Sequence, residues 1–178
     1  MRKIKNSKKG FTLLELLVVV LIIGILAGIA LPQYKKIILK ANLHKGISFV
    51  ASLYQAQQLY YLNHSTFAKN LTGLDITLPD GCTDTGISSG YMYKCSFGRF
   101  YCDDTDSANI YFLVPKQTIS YVKYLKDTEN EPANITFKAG QEYCFARPNN
   151  QIAQDVCQNM GGTYIGELNN VWKYYELK

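Results

Sequence analysis

From Phe11 to Leu31 the chain reads FTLLELLVVVLIIGILAGIAL, 21 residues broken by one charge, Glu15. As a helix this run spans about 31 Å, roughly the hydrocarbon thickness of a bilayer. Its valines and isoleucines do not argue against helix, because in lipid a backbone must satisfy its own hydrogen bonds. Beyond Pro32 the pattern changes. Apolar residues recur at Ile37, Ala41, Ile47, Val50, Ala51, Tyr54 and Leu59, with Leu43 and Leu53 off that stripe. Lys35, Lys36, Lys40, Asn42, His44 and Lys45 dominate another side. The spacing predicts an amphipathic helix to about Leu62, with Asn63-His64-Ser65 as its stop. Pro32 is expected to kink the helix rather than end it, giving one element of about 50 residues. Gly24, Gly28, Pro32 and Gly46 are weak points where it could bend or melt.

Residues 63–90 are rich in Gly, Thr, Asp and Ser and read as a long connection, with a short turn at Leu71–Leu74. From Tyr91 onward Tyr, Phe, Ile and Val gather in runs separated by turn residues. Strands are expected at Tyr91–Phe97, Ile110–Val114, Ile119–Leu125, Ile135–Lys138 and Glu142–Ala146. The pattern predicts an α+β fold: a long helix, then an antiparallel sheet of four or five strands with one face on that helix.

Charge sharpens the reading of the N-terminus. The formal net charge is +5, but Arg2, Lys3, Lys5, Lys8 and Lys9 carry it, with no acid among the first ten residues. The remainder has 14 bases and 14 acids. A basic stretch before an apolar run orients a membrane segment, because Lys and Arg resist translocation. Cys82, Cys95, Cys102, Cys144 and Cys157 form no C-x-x-C pair, and behind an export signal they read as disulfides. Five is odd, so at least one thiol is left over or pairs between chains.

Three readings of the apolar run compete. A cleaved secretory signal would use Gly28-Ile29-Ala30 as its small-x-small site, but the run is too long and contains Glu15. A plain single-span anchor explains the length and not the glutamate. A carboxylate at the centre of a membrane helix costs about 2.5–3.5 kcal/mol, less toward an end, so it is expected to be neutral, paired or within reach of headgroups. The third reading gives it a partner. Lys9-Gly10-Phe11-Thr12-Leu13-Leu14-Glu15, followed by uncharged residues from Leu16 to Ile29, resembles the class III signal of type IV prepilins and type II secretion pseudopilins.

That resemblance covers residues 9–34 closely and the rest in organisation only. It implies that a membrane-embedded aspartyl peptidase cuts between Gly10 and Phe11 and methylates Phe11 at its amine. It implies that Glu15, fifth after the cut, pairs with the N-terminal amine of a neighbouring subunit and sets register in a filament. Gly24, Pro32 and Tyr34 match the family's helix pattern, with Pro32 as the kink. Many type IV pilins close a C-terminal loop with a disulfide, which points to Cys144–Cys157; such a loop would gain about 3 kcal/mol. Four of five cysteines can pair in 15 ways, and Cys82 with Cys95 or Cys102 is a further guess.

The expected domains are a leader at 1–10, a transmembrane and filament-core helix at 11–32, its amphipathic half at 33–62, and a globular head at 63–178. The resemblance implies a structural subunit of a type IV pilus serving adhesion, twitching motility or DNA uptake, with a type II secretion pseudopilin as the alternative. Implied partners are other pilin copies, the prepilin peptidase, and an inner-membrane assembly platform with its ATPase. The subunit would rest in the inner membrane before assembly and reach the cell surface in the pilus. The chain itself has no G-x-x-x-x-G-K-[ST] phosphate loop. DNA is a conceivable partner to which a neutral mature chain offers no long-range attraction. No cofactor or catalytic constellation is indicated, so an enzyme is not expected. His44 and His64 sit in no metal motif, and Asp103-Asp104-Thr105-Asp106 lacks calcium-loop spacing and reads as a solvated turn. Asn63, Asn70 and Asn134 lie in N-x-[ST] sequons.

Overall fold

An apolar stretch followed by an amphipathic one, with only Pro32 to interrupt them, forms one 52-residue helix, α1 (Leu13–His64). It continues through Pro32 although proline donates no N–H to the carbonyl one turn back. It stops where Ser65 adopts a left-handed φ of 56°. The amide of Asn63 donates to Leu59 O at 3.2 Å, and a ring nitrogen of His64 meets Tyr60 O at 3.0 Å, so side chains cover the last carbonyls. The computed structural model describes residues 10–68, 71–85, 91–103, 109–114, 118–130 and 135–178. It divides into two units, Met1–Lys35 and Lys36–Lys178. In the first, the described residues beyond position 12 are all helix and none is buried.

In the second unit, the helix buries Leu43, Gly46, Phe49, Val50, Leu53 and Gln57. This corrects the stripe read from the sequence. Leu43 and Leu53, placed off it, are fully buried, while Ile37 and Leu59 are exposed. Positions 43, 46, 50, 53 and 57 keep a three-four spacing, but the face includes a glycine and a glutamine that hydropathy does not count. Gly46 is there because α1 meets the Phe112 ring, into which any Cβ would run. Each buried Leu or Val contributes about 1.5–3 kcal/mol.

Among the described residues the sheet has eight antiparallel strands: β1 (Thr83–Asp84), β2 (Tyr91–Cys95), β3 (Gly98–Asp103), β4 (Asn109–Leu113), β5 (Ile119–Tyr124), β8 (Glu142–Ala146), β9 (Thr163–Leu168) and β10 (Trp172–Glu176). Their order is β1-β2-β3-β4-β5-β8-β10-β9. β6 (Thr128–Asn130) and β7 (Ile135–Phe137) form a separate two-stranded pair. The sheet is therefore wider than the four or five strands expected. Tyr91–Phe97 is cut short by a turn at Ser96-Phe97, beyond which β3 pairs back with Cys95 opposite Gly98. Phe100, Ile110, Phe112, Ile119 and Tyr121 gather with Leu43, Val50 and Leu53 in one cluster. On the alternate positions, Val122, Tyr124, Tyr143 and Tyr174 pack with Ile135 and Phe137. Phe137 stacks on Tyr124 at 4.6 Å and meets Tyr143 edge-on at 4.9 Å.

The stretch after β8 is not only a loop. It forms α2 (Gln151–Asn159), capped where Ala153 N donates to Asn150 Oδ1 at 3.0 Å. Ala153, Val156 and Cys157 turn inward. Lys36 ties α1 to α2 through Asp155 at 3.2 Å. The Asp155 carboxyl lies below its ordinary value because the Gln151 amide, then Lys36, hydrogen-bonds its charged form.

Candidate functional site

Gly10 and Phe11 precede the first turn of α1 as exposed chain, and a Cβ built on Gly10 meets nothing within 4 Å. The basic leader residues before Gly10 lie outside the described residues. Thr12 and Glu15 close the helix start. Thr12 N and Oγ1 donate to one carboxylate oxygen of Glu15 at 2.8 and 2.9 Å, while Glu15 N donates back to Thr12 Oγ1 at 3.2 Å. This reciprocal pair is a capping box, and it sets a negative charge at the positive end of the helix. In the single chain, Glu15 therefore has a partner of its own. The sequence reading missed Thr12, although the T-x-x-E spacing before an apolar run was there to find it.

From Leu13 to Leu31 every Leu, Ile and Val is at least 43% exposed. Tyr34 and Ile37 continue the exposure. The helix is long and apolar enough to cross a membrane. A continuous apolar surface of this size is far beyond the few hundred Å² that soluble monomers leave open, so it requires lipid or protein around it. Gly24 and Gly28 have open space at their Cβ positions, and Pro32 sits further along the same exposed stretch.

At the other end of the chain, Cys144 of β8 and Cys157 of α2 are fully buried and joined by a disulfide. It fixes α2 against the sheet. A second disulfide joins Cys82 to Cys95. Cys102 keeps a buried thiol, against which Gln57 Nε2 lies at 3.2 Å. Gln57 also donates to Ala68 O and accepts from Ala68 N, both at 2.8 Å, so this buried amide fastens the chain that leaves α1. Sequence reasoning gave Gln57 no role, because a lone glutamine on a helix face carries no signal for what it will bond.

Among the described residues, no group of three or more His, Cys, Asp or Glu could hold a metal ion. His64 stacks on Tyr60 at 4.0 Å, and His44 is exposed. The Asp104–Asp106 stretch, Asn70 and Asn134 lie outside the described residues, while Asn63 is exposed near the end of α1.

Residues 5–31 match the family described as the prokaryotic N-terminal methylation motif. The chain is 39% identical over 72 residues to the type IV major pilin protein PilE1 of Neisseria gonorrhoeae, covering 40% of this chain and 44% of that protein. Over this part of the chain the sequence is similar to type IV pilins. A fimbrial protein of Neisseria meningitidis serogroup A is 39% identical over 85 residues, 48% of this chain and 47% of its own length. A fimbrial protein of Pseudomonas aeruginosa is 36% identical over 85 residues, 48% of this chain and 55% of its own. The chain thus spans about half the length of the curated relatives it matches. The exposed apolar helix and the capped Glu15 overlap the matched motif at residues 5–31.

Proposed function

We propose that this chain is a structural subunit, a pilin, of a type IV pilus filament. One observation carries the reading: an apolar helical surface at 13–31, left uncovered in a chain whose remaining residues have their own buried core. Lipid covers that surface before assembly and neighbouring helices cover it afterwards. Transfer from lipid to protein gains little, since lipid tails are as apolar as leucine. Assembly therefore requires a platform and an ATPase outside this chain.

In this scheme residues 1–10 are a leader, 11–32 the membrane and filament-core helix, 33–62 its amphipathic half and 63–178 the head. A prepilin peptidase cuts between Gly10 and Phe11, where the chain is exposed and not yet helical. Phe11 becomes the methylated N-terminus. Glu15 then exchanges its Thr12 contacts for the amine of a neighbour. In an apolar surround that pair is poorly screened, and an unpaired carboxylate penalises any wrong stagger. Pro32 supplies a bend. The role is structural and not enzymatic, and its site is the inner membrane first and the cell surface afterwards.

Shearing fibres from the cell surface and identifying their protein tests this reading. This chain is expected as a major component, and Glu15→Ala is expected to reduce fibre yield without lowering the amount of the chain in membranes. A chain that never leaves the periplasmic side, or unchanged yield with Glu15→Ala, would overturn it.

A further inference from the structure

Within the unit Lys36–Lys178, contacts between α1 and the sheet show which end of the sheet lies nearest the helix entry at Lys36. Gly46 meets Phe112, Phe49 meets Phe100 at 4.8 Å, and Gln57 reaches Cys102 at 3.2 Å. The entry end is therefore the one that carries the β2–β3 turn, Arg147 and the β9–β10 turn. α2 lies there too, with Asp155 on Lys36 at 3.2 Å and Gln154 on Lys173 at 3.0 Å. Lys36 follows the apolar run's last residue, Leu31, by five residues, about 8 Å of helix.

Charge is uneven along this unit. At the entry end stand Lys36, Lys40 and Lys45 of α1, with Lys94, Arg99, Arg147 and Lys173 of the sheet region. The acids there, among the described residues, are Asp80, Asp84, Asp155 and Glu167. At the opposite end Lys123, Lys126, Lys138 and Lys178 are balanced by Asp127, Glu129, Glu142 and Glu176. Lys94 and Arg99 sit directly opposite each other on β2 and β3, both exposed, and like charges so placed repel. The nearest acid in register, Asp84, is opposite Tyr93. From Lys94 on β2 to Lys173 on β10 is five strand spacings, about 24 Å. These bases do not converge on one point, so they match a plane of anions and not a single phosphate.

The β9–β10 turn adds an apolar tip. Asn169 and Asn170 both take left-handed φ, 46° and 55°, and Val171 N donates to Leu168 O at 2.7 Å. The turn leaves Val171 38% exposed, with Trp172 half-buried behind it. The Arg147 guanidinium lies 4.4 Å over the Trp172 ring and donates to Val171 O at 3.3 Å, so cation, ring and tip are held together. Tryptophan favours the headgroup level of a bilayer, where its body meets apolar groups and its N–H stays wet. A protein interface would bury an apolar centre, and one valine on a turn does not supply it. We propose that the entry end of this unit docks on an anionic lipid surface before assembly, with Val171 and Trp172 among the headgroups and the bases over them. This rests on the reading of residues 13–31 as a membrane helix.

Trp172 is the only tryptophan in the chain, so its fluorescence reports on this tip alone. The test places the full chain in phosphatidylcholine vesicles, with and without about 30% phosphatidylglycerol, and includes lipids bearing a headgroup nitroxide. Quenching of Trp172 is expected to be about threefold stronger with the anionic lipid, and about 0.5 M salt should cancel the difference by screening. Lys94→Gln with Arg99→Gln changes two bases at least about 19 Å from the reporter. It should return quenching to the level without anionic lipid. Its thermal midpoint should be unchanged or higher, because it removes a repulsion, so the loss cannot be put down to unfolding. Equal quenching in the two vesicles, or wild-type quenching in the double variant, would overturn the inference while the chain still floats with the vesicles. A chain that does not float with them would overturn the membrane-helix reading and this inference with it.

Discussion

Gly24 and Gly28 lie in the first part of α1 and Gly46 in the second. A methyl group added at either of the first two meets nothing within 4 Å, whereas at Gly46 it runs into the Phe112 ring. The contrast holds for the neighbouring side chains. Leu13 to Leu31 are exposed, and Leu43, Val50 and Leu53 are fully buried. One helix thus has two kinds of specification. From residue 36 onward its buried face is fixed by this chain's own sheet. Before that its apolar face is left uncovered by the rest of the described chain. Substitutions in the first region should leave the fold untouched and change assembly, and those in the second should do the reverse.

The largest expected effect is at Gly46. Gly46→Leu should prevent the region 36–178 from folding, since Phe112 is itself fully buried and overpacking of a tight core costs about 1–3 kcal/mol even for smaller insertions. Gly24→Leu should leave the thermal midpoint of that region unchanged. Equal losses by circular dichroism would break the comparison. Next is Cys144→Ala with Cys157→Ala, expected to lower unfolding free energy in urea by about 3 kcal/mol. Gln57→Ala should cost about 2 kcal/mol in the same assay, because Ala68 N and O lose their partner in a buried site.

Smaller effects sharpen the comparison. In the isolated chain Glu15→Gln should loosen the helix start alone, with no change in urea unfolding of the sheet region. The smallest belongs to Asp155. Its folded carboxyl sits below the ordinary value, so its stabilising contribution is complete above about pH 4 and is lost as pH falls through the folded value. Asp155→Asn should be slightly less stable than wild type at neutral pH, lack that small low-pH limb, and converge on wild type once pH falls below the folded value of Asp155.

The first region was the more legible in sequence, because few physical problems produce its pattern. A 21-residue apolar run interrupted by one glutamate, behind a basic lead-in, constrains the reading before any fold is known. The end of α1 was legible too, since Asn63 and His64 cover its last carbonyls and the helix stops at His64. The buried face was not. Gly46 and Gln57 belong to it through contacts with Phe112 and Ala68, partners distant in sequence that no helical period reveals. β9 escaped notice because it is an edge strand of exposed and half-buried residues without alternation. α2 escaped because nine residues are too few for periodicity to speak, although Asn150 was placed to cap it. The Cys144–Cys157 link was drawn from likeness to pilins and not from spacing. β8 and α2 are what bring those two sulfurs together.

Whether the first region is a processed filament helix is measured directly by intact-mass analysis of the mature chain from surface fibres. The predicted species begins at Phe11, carries one added methyl on its amine and retains residues 11–31. A species that keeps residues 1–10, or one that starts beyond Leu31, would contradict it.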